Sequence, residues 1–486
     1  MLNSLAGSAR PLALLLLPLL AVAGAGAGRS DAPCIRLTHA GTQVQGDVRI
    51  CPGRYRIPDP SESGVIIIAS GSTRLDLNGV TLESGDSLAS RFVGIGVLSR
   101  GVEHVTIAGG TIRGYRYNIR IEGGRNHRIS EINLSGSRTQ RLWSTPDTYD
   151  ERDWLDIFEP DTFEQYGAGL YLKWTDGASV TGVTATGAQN GIALFGARNS
   201  YLADNDVSEN SGWGISLWSS ARNTIVRNDA HDVVRCESPN YSRGCDSAAL
   251  LLRQQSDSNF IADNNLSGSG DGFFLSGQRP QVRPSAGNVV IRNNASGSYH
   301  NAFESTFSWN NTFLENRADS SAYGFWLGYS TGSTVQGNTI IGSREAGIAI
   351  EHGSDNLLAA NVIIGGRLGI HLFAPHAGDD PSRGYRIDDN VLAALDTGIV
   401  LERTGQSRIR GNVIDGVTDG LVIDAAGHAT TVTGNIFLRA TGWWIVAPDL
   451  AAGGNYWAAP SADSTSSRVK GRISVLPWKP ASAAGY

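Results

Sequence analysis

The segment GIAIEHGSDNLLAANVIIGGRLGIHL, residues 347–372, contains one complete copy of the pattern that decides the fold and the beginning of the next copy. A Gly-Ile-x-Ile run starts at Gly347, an asparagine follows at Asn361, and the next run starts at Gly369. Apolar residues alternate with other residues in each run, which predicts a short strand with one buried face. The segment therefore predicts a repeating unit that begins with a strand.

Similar runs extend in both directions from this segment, and most successive starts recur with a period of roughly 22 residues. The intervals before Ala248, Ala302 and Gly398 are longer, which indicates loops inserted into a regular stack. The Leu-x-x-Leu-x-Leu spacing of leucine-rich repeats, which have a similar period, is missing. We therefore predict an all-β chain, a single-domain right-handed parallel β-helix of about fifteen coils with loop insertions. The clear starts are Gly169, Gly191, Gly214, Ala248, Gly272, Ala302, Gly324, Gly347, Gly369, Gly398, Gly420 and Gly442.

A second landmark is an asparagine that follows the start of six runs at a constant offset, as Asn361 follows Gly347. Asparagine tolerates left-handed backbone geometry and forms side-chain hydrogen bonds, so stacked asparagines are expected to bend each coil and bind it to the next. Asn435 lies one position beyond this offset from Gly420, and we leave it out of the set. The six are Asn205, Asn228, Asn316, Asn338, Asn361 and Asn412.

The two ends of the chain are expected to differ from the repeats. Residues 1–28 combine a positive charge, an apolar stretch and small residues, which is typical of a secretory signal peptide. We expect residues 29–60 to form an N-terminal cap, 61–460 the β-helix, and 461–486 a C-terminal cap and tail, because an open β-helix leaves strand edges unpaired. An aromatic lid on the last coil is predicted from Trp443, Trp444, Tyr456, Trp457 and Trp478.

Composition narrows the location and the partners of the protein. Four cysteines form two local pairs, Cys34 with Cys51 and Cys236 with Cys245, which predict two disulfides in an oxidising compartment; a four-thiolate metal site is the alternative. With 46 acidic and 40 basic residues the net charge is −6, so a generally basic nucleic-acid-binding surface is not expected, although a local basic patch is compatible. We expect a secreted or periplasmic monomer that binds neither nucleic acid nor membrane.

The coil pattern resembles that of the pectate-lyase-like superfamily of right-handed β-helix proteins, for example where Gly214-Ile215-Ser216-Leu217 leads to Asn228. Its short asparagine-rich coils, and the closing Gly454-Asn455-Tyr456-Trp457, are similar to the repeat of the NosD family of periplasmic copper-site maturation proteins. The resemblance covers roughly residues 60–460 and implies the fold. It does not select an activity, because the superfamily includes lyases, hydrolases, epimerases, esterases and non-catalytic modules.

Two departures from these families bear on function. Alginate C5-epimerases that resemble this fold carry an Asp-Pro-His-Asp motif, whereas the nearest strings here are Ala374-Pro375-His376-Ala377 and Asp379-Asp380-Pro381. Copper handling favours methionine and clustered histidine, and the only methionine is Met1. The sequence therefore predicts neither an epimerase of that type nor a copper site.

Residues two and four places after each start are expected to face away from the core, because the Ile and Leu positions face it. An ordinary exposed strand is rich in Thr, Ser and Lys, whereas these columns mix aromatic residues with isolated ionisable groups, which indicates a covered face. Insertions at about residues 135–167, 235–246 and 278–287 are the candidate covers. From Gly214 to Gly324 the first column is predicted to read Ser216, Leu250, Phe274, Glu304 and Trp326.

Glu304 is the leading candidate for catalysis. Apolar neighbours in the adjacent coils, Phe274 and Trp326, would raise the pKa of its carboxyl towards use as a general acid. His300 is expected to contact Asp271 and to orient one of the acidic groups. Asp271, Asp246 and Glu351 are the candidate partners, and a surface or loop-anchoring role is the alternative for each of these residues.

Aromatic residues on the covered face predict a glycan-binding groove, because pyranose faces pack on aromatic rings. One alternative is that the rings pack beneath the loops. Another is that Lys173 neutralises the first insertion, at about residues 135–167, which is rich in acidic residues. We predict no metal and no cofactor; Asp379 and Asp380 offer calcium ligands, but no calcium-loop spacing is present. Candidate substrate-binding residues are Lys173, Trp218, Arg253, Phe274, Trp326 and Tyr329.

Three functions remain compatible with these residues. The first is an exported carbohydrate-active enzyme, a glycoside hydrolase or other polysaccharide-modifying enzyme, that cleaves a polysaccharide or oligosaccharide by carboxylate acid–base chemistry. The second is a polysaccharide lyase or C5-epimerase that acts on a uronate polymer through Lys173, Arg253 and His300. The third is a non-catalytic periplasmic glycan-binding or accessory β-helix protein.

Overall fold

The computed structural model describes residues 33–145, 147–236, 244–277, 284–376 and 382–484. The predicted signal segment, residues 1–28, and the Asp379–Asp380 pair lie outside these ranges. Within them the chain is nearly all β, and its strands pair in parallel to form two long sheets, which we call the broad sheet and the narrow sheet. The prediction of an all-β parallel β-helix is confirmed.

The broad sheet contains 21 strands in the described residues and includes the Gly-Ile-x-Leu runs. Its strands are Thr42–Val44, Ile66–Ile68, Ile95–Arg100, Tyr117–Glu122, Ala168–Lys173, Asn190–Phe195, Trp213–Trp218, Ala248–Arg253, Asp271–Ser276, Asn301–Thr306, Tyr323–Trp326, Thr339–Glu351, Val362–Phe373, Val391–Glu402, Val413–Asp415, Asp419–Ile423, Ile436–Phe437, Ile445–Ala451, Tyr456–Trp457, Val469–Ser474 and Lys479–Pro480.

The narrow sheet contains 15 strands in the described residues. They are Asp47–Arg49, Arg74–Asp76, Thr106–Ala108, Arg128–Ser130, Ser179–Thr181, Tyr201–Ala203, Thr224–Val226, Phe260–Ala262, Val289–Ile291, Thr312–Leu314, Thr334–Gln336, Leu357–Ala359, Arg386–Asp388, Arg408–Arg410 and Thr431–Thr433. A three-stranded sheet contains Gly53–Arg56, Val80–Glu83 and Thr111–Arg113. Two further sheets have two strands each: Ser285–Ala286 pairs with Ser308–Trp309, and Ser382–Arg383 pairs with Thr404–Gly405.

Helical segments in the described residues are short. The α-helices are Pro160–Gln165 and Ala462–Ser466, and the 3₁₀ segments are Ala89–Arg91, Glu151–Asp153, Gly244–Asp246 and Ala481–Ala483. None of these helices has the length and apolar character needed to cross a membrane.

The glycine that starts each run is required by the close approach of adjacent coils. A Cβ atom on Gly347 would lie 2.5 Å from the Ile363 side chain and 2.8 Å from the carbonyl oxygen of Gly369, the corresponding glycine of the next coil. Both distances are too short for a side chain. The glycine column therefore lets the coils stack while the following Ile and Leu fill the core.

The asparagine prediction is confirmed, and the column is longer than expected. Each side-chain amide except that of the last member, Asn455, donates to the amide oxygen of the next asparagine, as from Asn338 to Asn361 at 2.9 Å, and all members are buried. Asn435, which the spacing excluded, belongs to the column, because Asn412 donates to its Oδ1 at 2.9 Å. The left-handed residue at the turn is the one before the asparagine, for example Arg227 with φ of 55° before Asn228. The complete column is Asn205, Asn228, Asn264, Asn293, Asn316, Asn338, Asn361, Asn390, Asn412, Asn435 and Asn455.

Strand register places Glu304 where the sequence predicted and corrects one neighbouring coil. Glu304 pairs with Phe274 on one side and with Trp326 on the other. The coil that starts near Ala248 is shifted by one residue, because Ser216 pairs with Leu251 and not with Leu250. Leu250 therefore belongs to the core, and Leu251 and Arg253 take the outward positions. A one-residue shift exchanges the two faces of a strand.

Both predicted disulfides are present, Cys34–Cys51 and Cys236–Cys245. At the other end, Trp457 stacks on Phe437 of the core with ring centroids 4.7 Å apart, and Trp444 is buried beside it. Trp478 packs partly buried against the same core. The domain boundaries at residues 28, 60 and 460 stay predictions.

Candidate active site

The first insertion covers part of the outer face of the broad sheet. Its helix Pro160–Gln165 places Phe163 on Trp213, with ring centroids 5.2 Å apart, and Leu155 and Ile157 are buried in the same cluster. This cluster is separate from the core inside the coils. The insertion is therefore held in place by apolar packing on the strands that it covers.

Two predicted glycan-binding aromatics are buried by this cover, so that prediction is corrected. Trp218 and Phe274 are 3 % and 4 % exposed, and Trp218 packs on Phe163 with ring centroids 5.4 Å apart. A sugar cannot stack on rings that the loop already covers. The alternative interpretation, packing beneath the loop, is the one that their environment supports.

Arg253 also binds the insertion that covers this face. It is completely buried, and its guanidinium donates to the carbonyl oxygens of Ile157, at 2.7 Å, and of Ser276 and Gly277, at 3.1 and 2.8 Å. Burial lowers the pKa of Arg253 to about 10, and the negative charge of Asp246 opposes that effect. The residue therefore holds the loop against the sheet and is not available for a substrate carboxylate.

Lys173 lies at a different opening. Its Nζ forms an ion pair with Glu164 of the loop helix and lies 4.5 Å from the centre of the Trp174 ring. The lysine lines a pocket that also contains Arg120 and Asp161, away from Glu304. This geometry matches the alternative role of neutralising the acidic loop.

Glu304 lines a pocket of about 330 Å³ beside the cover. The broad sheet supplies Glu304 and Trp326, and the cover supplies Trp154. Asp246 reaches the pocket from the segment Gly244–Asp246, which the Cys236–Cys245 disulfide constrains. The lining residues are Trp154, Asp246, His300, Glu304, Tyr323 and Trp326.

A short hydrogen-bonded chain positions Glu304 in this pocket. The side-chain amide of Asn301 donates to Glu304 Oε2 at 2.5 Å and lies 3.0 Å from His300 Nδ1. The backbone N–H of Asn301 donates to Asp271 Oδ1 at 2.8 Å, and that oxygen lies 3.4 Å from His300 Nδ1. The predicted contact between His300 and Asp271 is therefore present.

The surroundings of Glu304 favour its protonated form. Burial raises the pKa of the Glu304 carboxyl well above its usual value, and the negative charges of Asp271 and Asp246 raise it further. The hydrogen bond from Asn301 and the charge of Arg253 act in the opposite direction but are smaller. A carboxyl that keeps its proton near neutral pH can act as a general acid.

Glu351 and Tyr329 do not line this pocket. The Tyr329 hydroxyl donates to Glu351 Oε1 at 3.3 Å, and the Tyr329 ring stacks on Phe307 and on His352, with centroids 4.7 and 4.9 Å apart. These residues form their own cluster at the C-terminal ends of three successive broad-sheet strands, Asn301–Thr306, Tyr323–Trp326 and Thr339–Glu351. We therefore remove Glu351 from the candidate partners of Glu304.

Sequence reasoning missed two residues of the pocket region. Asn301 precedes the strand position of Glu304, and the unusual local string HNAFE marks this coil without assigning a role to the amide. Trp154 lies within an irregular insertion, where no periodic pattern predicts which side chain points inwards. The acidic residues around Trp154 marked the insertion in the sequence, but they do not indicate which of its side chains faces the pocket.

One ligand atom each from Asp271, His300 and Glu304 lies within 4.8 Å of the others, which is close enough to share a cation. Asn301 already contacts all three residues, through its side-chain amide and its backbone N–H. Hydrogen bonds within the cluster therefore account for its compactness, and we assign no metal to it.

The family model described as periplasmic copper-binding protein (NosD) matches residues 71–279 and 240–372. No curated protein sequence matches the chain. Among solved structures, the A-module of the Azotobacter vinelandii mannuronan C-5 epimerase AlgE6 aligns with a TM-score of 0.50 at 13 % identity, over 68 % of this chain and 88 % of that one.

Two further structures align less well. The AlgE4 A-module of the same organism has a TM-score of 0.49 at 14 % identity, over 68 % of this chain and 90 % of that one. A family 28 exopolygalacturonase of Yersinia enterocolitica has a TM-score of 0.39 at 12 % identity, over 78 % of this chain and 73 % of that one. Such likenesses concern the fold alone.

The two segments of the family match together span residues 71–372, more than half of the chain, and the protein belongs to the NosD family of right-handed parallel β-helix proteins.

Proposed function

We propose that the protein is an exported enzyme that hydrolyses a polysaccharide, with Glu304 as the general acid. The observation that carries the proposal is one pocket that combines a carboxyl whose pKa is raised by burial, at Glu304, a second carboxyl at Asp246, and aromatic walls. Glycoside hydrolysis commonly uses a pair of carboxyl groups, one as general acid and the other as general base or nucleophile. Trp154 and Trp326 offer ring faces on which a sugar can pack.

Each group has a separate role in this mechanism. Glu304 donates its proton to the oxygen of the leaving sugar. Asp246 is the second carboxyl: it either accepts a proton from the water that attacks the anomeric carbon, or attacks that carbon itself and is then released by water. Asp271 is buried behind the pocket, where it accepts the backbone N–H of Asn301 and faces His300. It is a positioning residue, because it orients the imidazole and helps to keep the proton on Glu304.

The lyase or C5-epimerase alternative receives less support. Those reactions require a cation beside the substrate carboxylate to stabilise the charge that develops when the neighbouring proton is removed. Arg253 and Lys173, the cations predicted for this purpose, are bound to the cover and to Glu164. Among the described residues, the lining of the Glu304 pocket contains neither Lys nor Arg.

A copper function suggested by the family name does not match the donor atoms of this chain. All four cysteines are in disulfides, and the only methionine is Met1. Thiolates and thioethers are the ligands that select Cu(I), whereas the Asp271, His300 and Glu304 group offers two carboxylates and one imidazole. The proposed reaction therefore involves no copper. A periplasmic or secreted location is supported by the family description and by the disulfides.

A panel of polysaccharides assayed for three products tests the proposal. We expect new reducing ends without a new ultraviolet chromophore; a lyase would produce an unsaturated, absorbing product, and an epimerase would change the sugar composition without cleavage. Glu304→Gln should lower kcat by at least about 100-fold. The matched control is Glu345→Gln, which alters an exposed ion pair with Arg367 and should leave kcat unchanged. Full activity of Glu304→Gln would refute the assignment.

A further inference from the structure

The narrow sheet carries a second groove, which the proposed reaction does not use. It has a volume of about 910 Å³ and crosses the outer face of four successive narrow-sheet strands. Two arginines, two histidines and several hydroxyl groups dominate its surface. The groove is lined by Ser72, Arg74, His104, Thr106, Asn126, His127, Arg128, Gly177 and Ser179.

The groove is cationic, although the chain as a whole has a net charge of −6. Arg74 and Arg128 are exposed and flank the strand of Thr106, so their backbones lie two strand spacings apart, ~9.6 Å. The Arg128 side chain makes no hydrogen bond or ion pair with any described residue, and Arg74 reaches only Asp47, at 4.0 Å. No carboxylate of a described residue lines the groove.

His127 adds a buried, unused acceptor or donor at the base of this groove. Its side chain is fully buried, Nε2 contacts the Gly123 carbonyl oxygen at 3.0 Å, and Nδ1 has no hydrogen-bond partner among the described residues. A buried polar atom without a partner is uncommon in a folded protein.

The outward residues of the narrow sheet continue the pattern beyond the groove. In successive strands Arg128 pairs with Ser179, Ser179 with Tyr201, Tyr201 with Thr224 and Thr224 with Phe260. Tyr201 and Phe260 are 40 % and 42 % exposed, so their rings are open to solvent. Every second strand of this column therefore carries a large side chain, first the two arginines and then the two aromatic residues. The strands between them carry Thr or Ser.

We infer that this surface, from Arg74 to Phe260, binds an acidic polysaccharide that lies along the axis of the β-helix. Guanidinium groups pair with carboxylate or sulfate oxygens in a fixed geometry. The hydroxyls of Thr106, Ser179 and Thr224 hydrogen-bond sugar hydroxyls, and the rings of Tyr201 and Phe260 pack on pyranose faces. The surface is built by a different sheet from the one that carries Glu304, so binding here does not depend on the proposed reaction.

Binding of defined polymers to the full chain tests this inference, with Glu304→Gln as the parent so that turnover cannot change the ligand. The probes are polygalacturonate, which carries carboxylates, dextran sulfate, which carries sulfates, and neutral dextran. We expect saturable binding to at least one polyanion, weakening as salt screens the charges, and none to dextran. Arg128→Gln should weaken that binding about tenfold.

A matched control separates this site from general charge attraction. Arg386 occupies the same outward column in a distant coil and is exposed, so Arg386→Gln removes an equal charge and should leave the affinity unchanged. Phe260→Ser should also weaken binding without altering the melting temperature by more than about 2 °C, because its ring is exposed. Equal losses for Arg128→Gln and Arg386→Gln, equal binding to dextran, or no binding to either polyanion would each overturn the inference. Because the readout is binding, such a failure is distinct from the failure of Glu304 catalysis.

Discussion

The asparagine column makes a quantitative prediction about stability, which we develop for Asn338→Ala. The Asn338 amide donates to the carbonyl oxygen of Phe313, at 3.1 Å, and to Asn361 Oδ1, at 2.9 Å. Its Oδ1 accepts the backbone N–H of Asn316 at 2.8 Å and the Asn316 side-chain amide at 3.1 Å. The substitution therefore removes four hydrogen bonds at a site with no solvent exposure.

The expected loss follows from those four bonds. Each contributes about 1 kcal/mol net, and the Asn316 N–H left buried without a partner adds a further penalty of about 1–2 kcal/mol, so the free energy of unfolding should fall by about 5–6 kcal/mol. For a cooperative unit of about 450 residues, that loss corresponds to a decrease in Tm of roughly 5 °C. The Asn316 amide should also exchange its hydrogen faster than in the parent.

Guanidinium titrations followed by circular dichroism, with hydrogen exchange across residues 312–316, measure both effects. The control is Asn294→Ala, because Asn294 is exposed and its Oδ1 accepts only the Ser296 N–H at 3.2 Å. That variant should lose less than about 1 kcal/mol. If Asn338→Ala is as stable as Asn294→Ala, the column does not bind the coils together and the reasoning fails.

Three further predictions concern packing, charge and the cover. Gly347→Ala should destabilise the protein by about 1–3 kcal/mol in a thermal melt, because its Cβ would overlap Ile363, whereas Gly328→Ala meets only ordinary contacts and should be neutral. Glu304→Gln should become more stable relative to the parent as the pH rises above 4.5, because the folded parent retains a proton that the unfolded chain releases there; a pH-independent difference in Tm would contradict the raised pKa. Arg253→Met removes the hydrogen bond from the Arg253 guanidinium to Ile157 of the cover, so limited proteolysis should cut residues 155–165 faster, and unchanged cleavage would show that apolar packing alone holds the loop.

The neighbours of Glu304 were predictable because parallel stacking converts a sequence offset into a spatial one. Residues at equal positions of successive runs lie side by side, so Phe274, Glu304 and Trp326 pair as the alignment indicated. The same rule predicted the contact between His300 and Asp271. It failed at Ala248, where the insertion before the strand hid a shift of one residue and reversed the faces of Leu250 and Leu251.

The sequence by itself determined the architecture of this protein, because a solenoid repeats one local unit. Each copy of that unit contains its own strand residues, its glycine and its asparagine. Only the tertiary structure decided which outward residues are available to a ligand. Trp218, Phe274 and Arg253 had the composition of a binding surface, but the insertion folds over them, and Arg128 and Tyr201 stay exposed on the narrow sheet. An irregular loop has no period, so the face that it covers depends on long-range packing that no local pattern records.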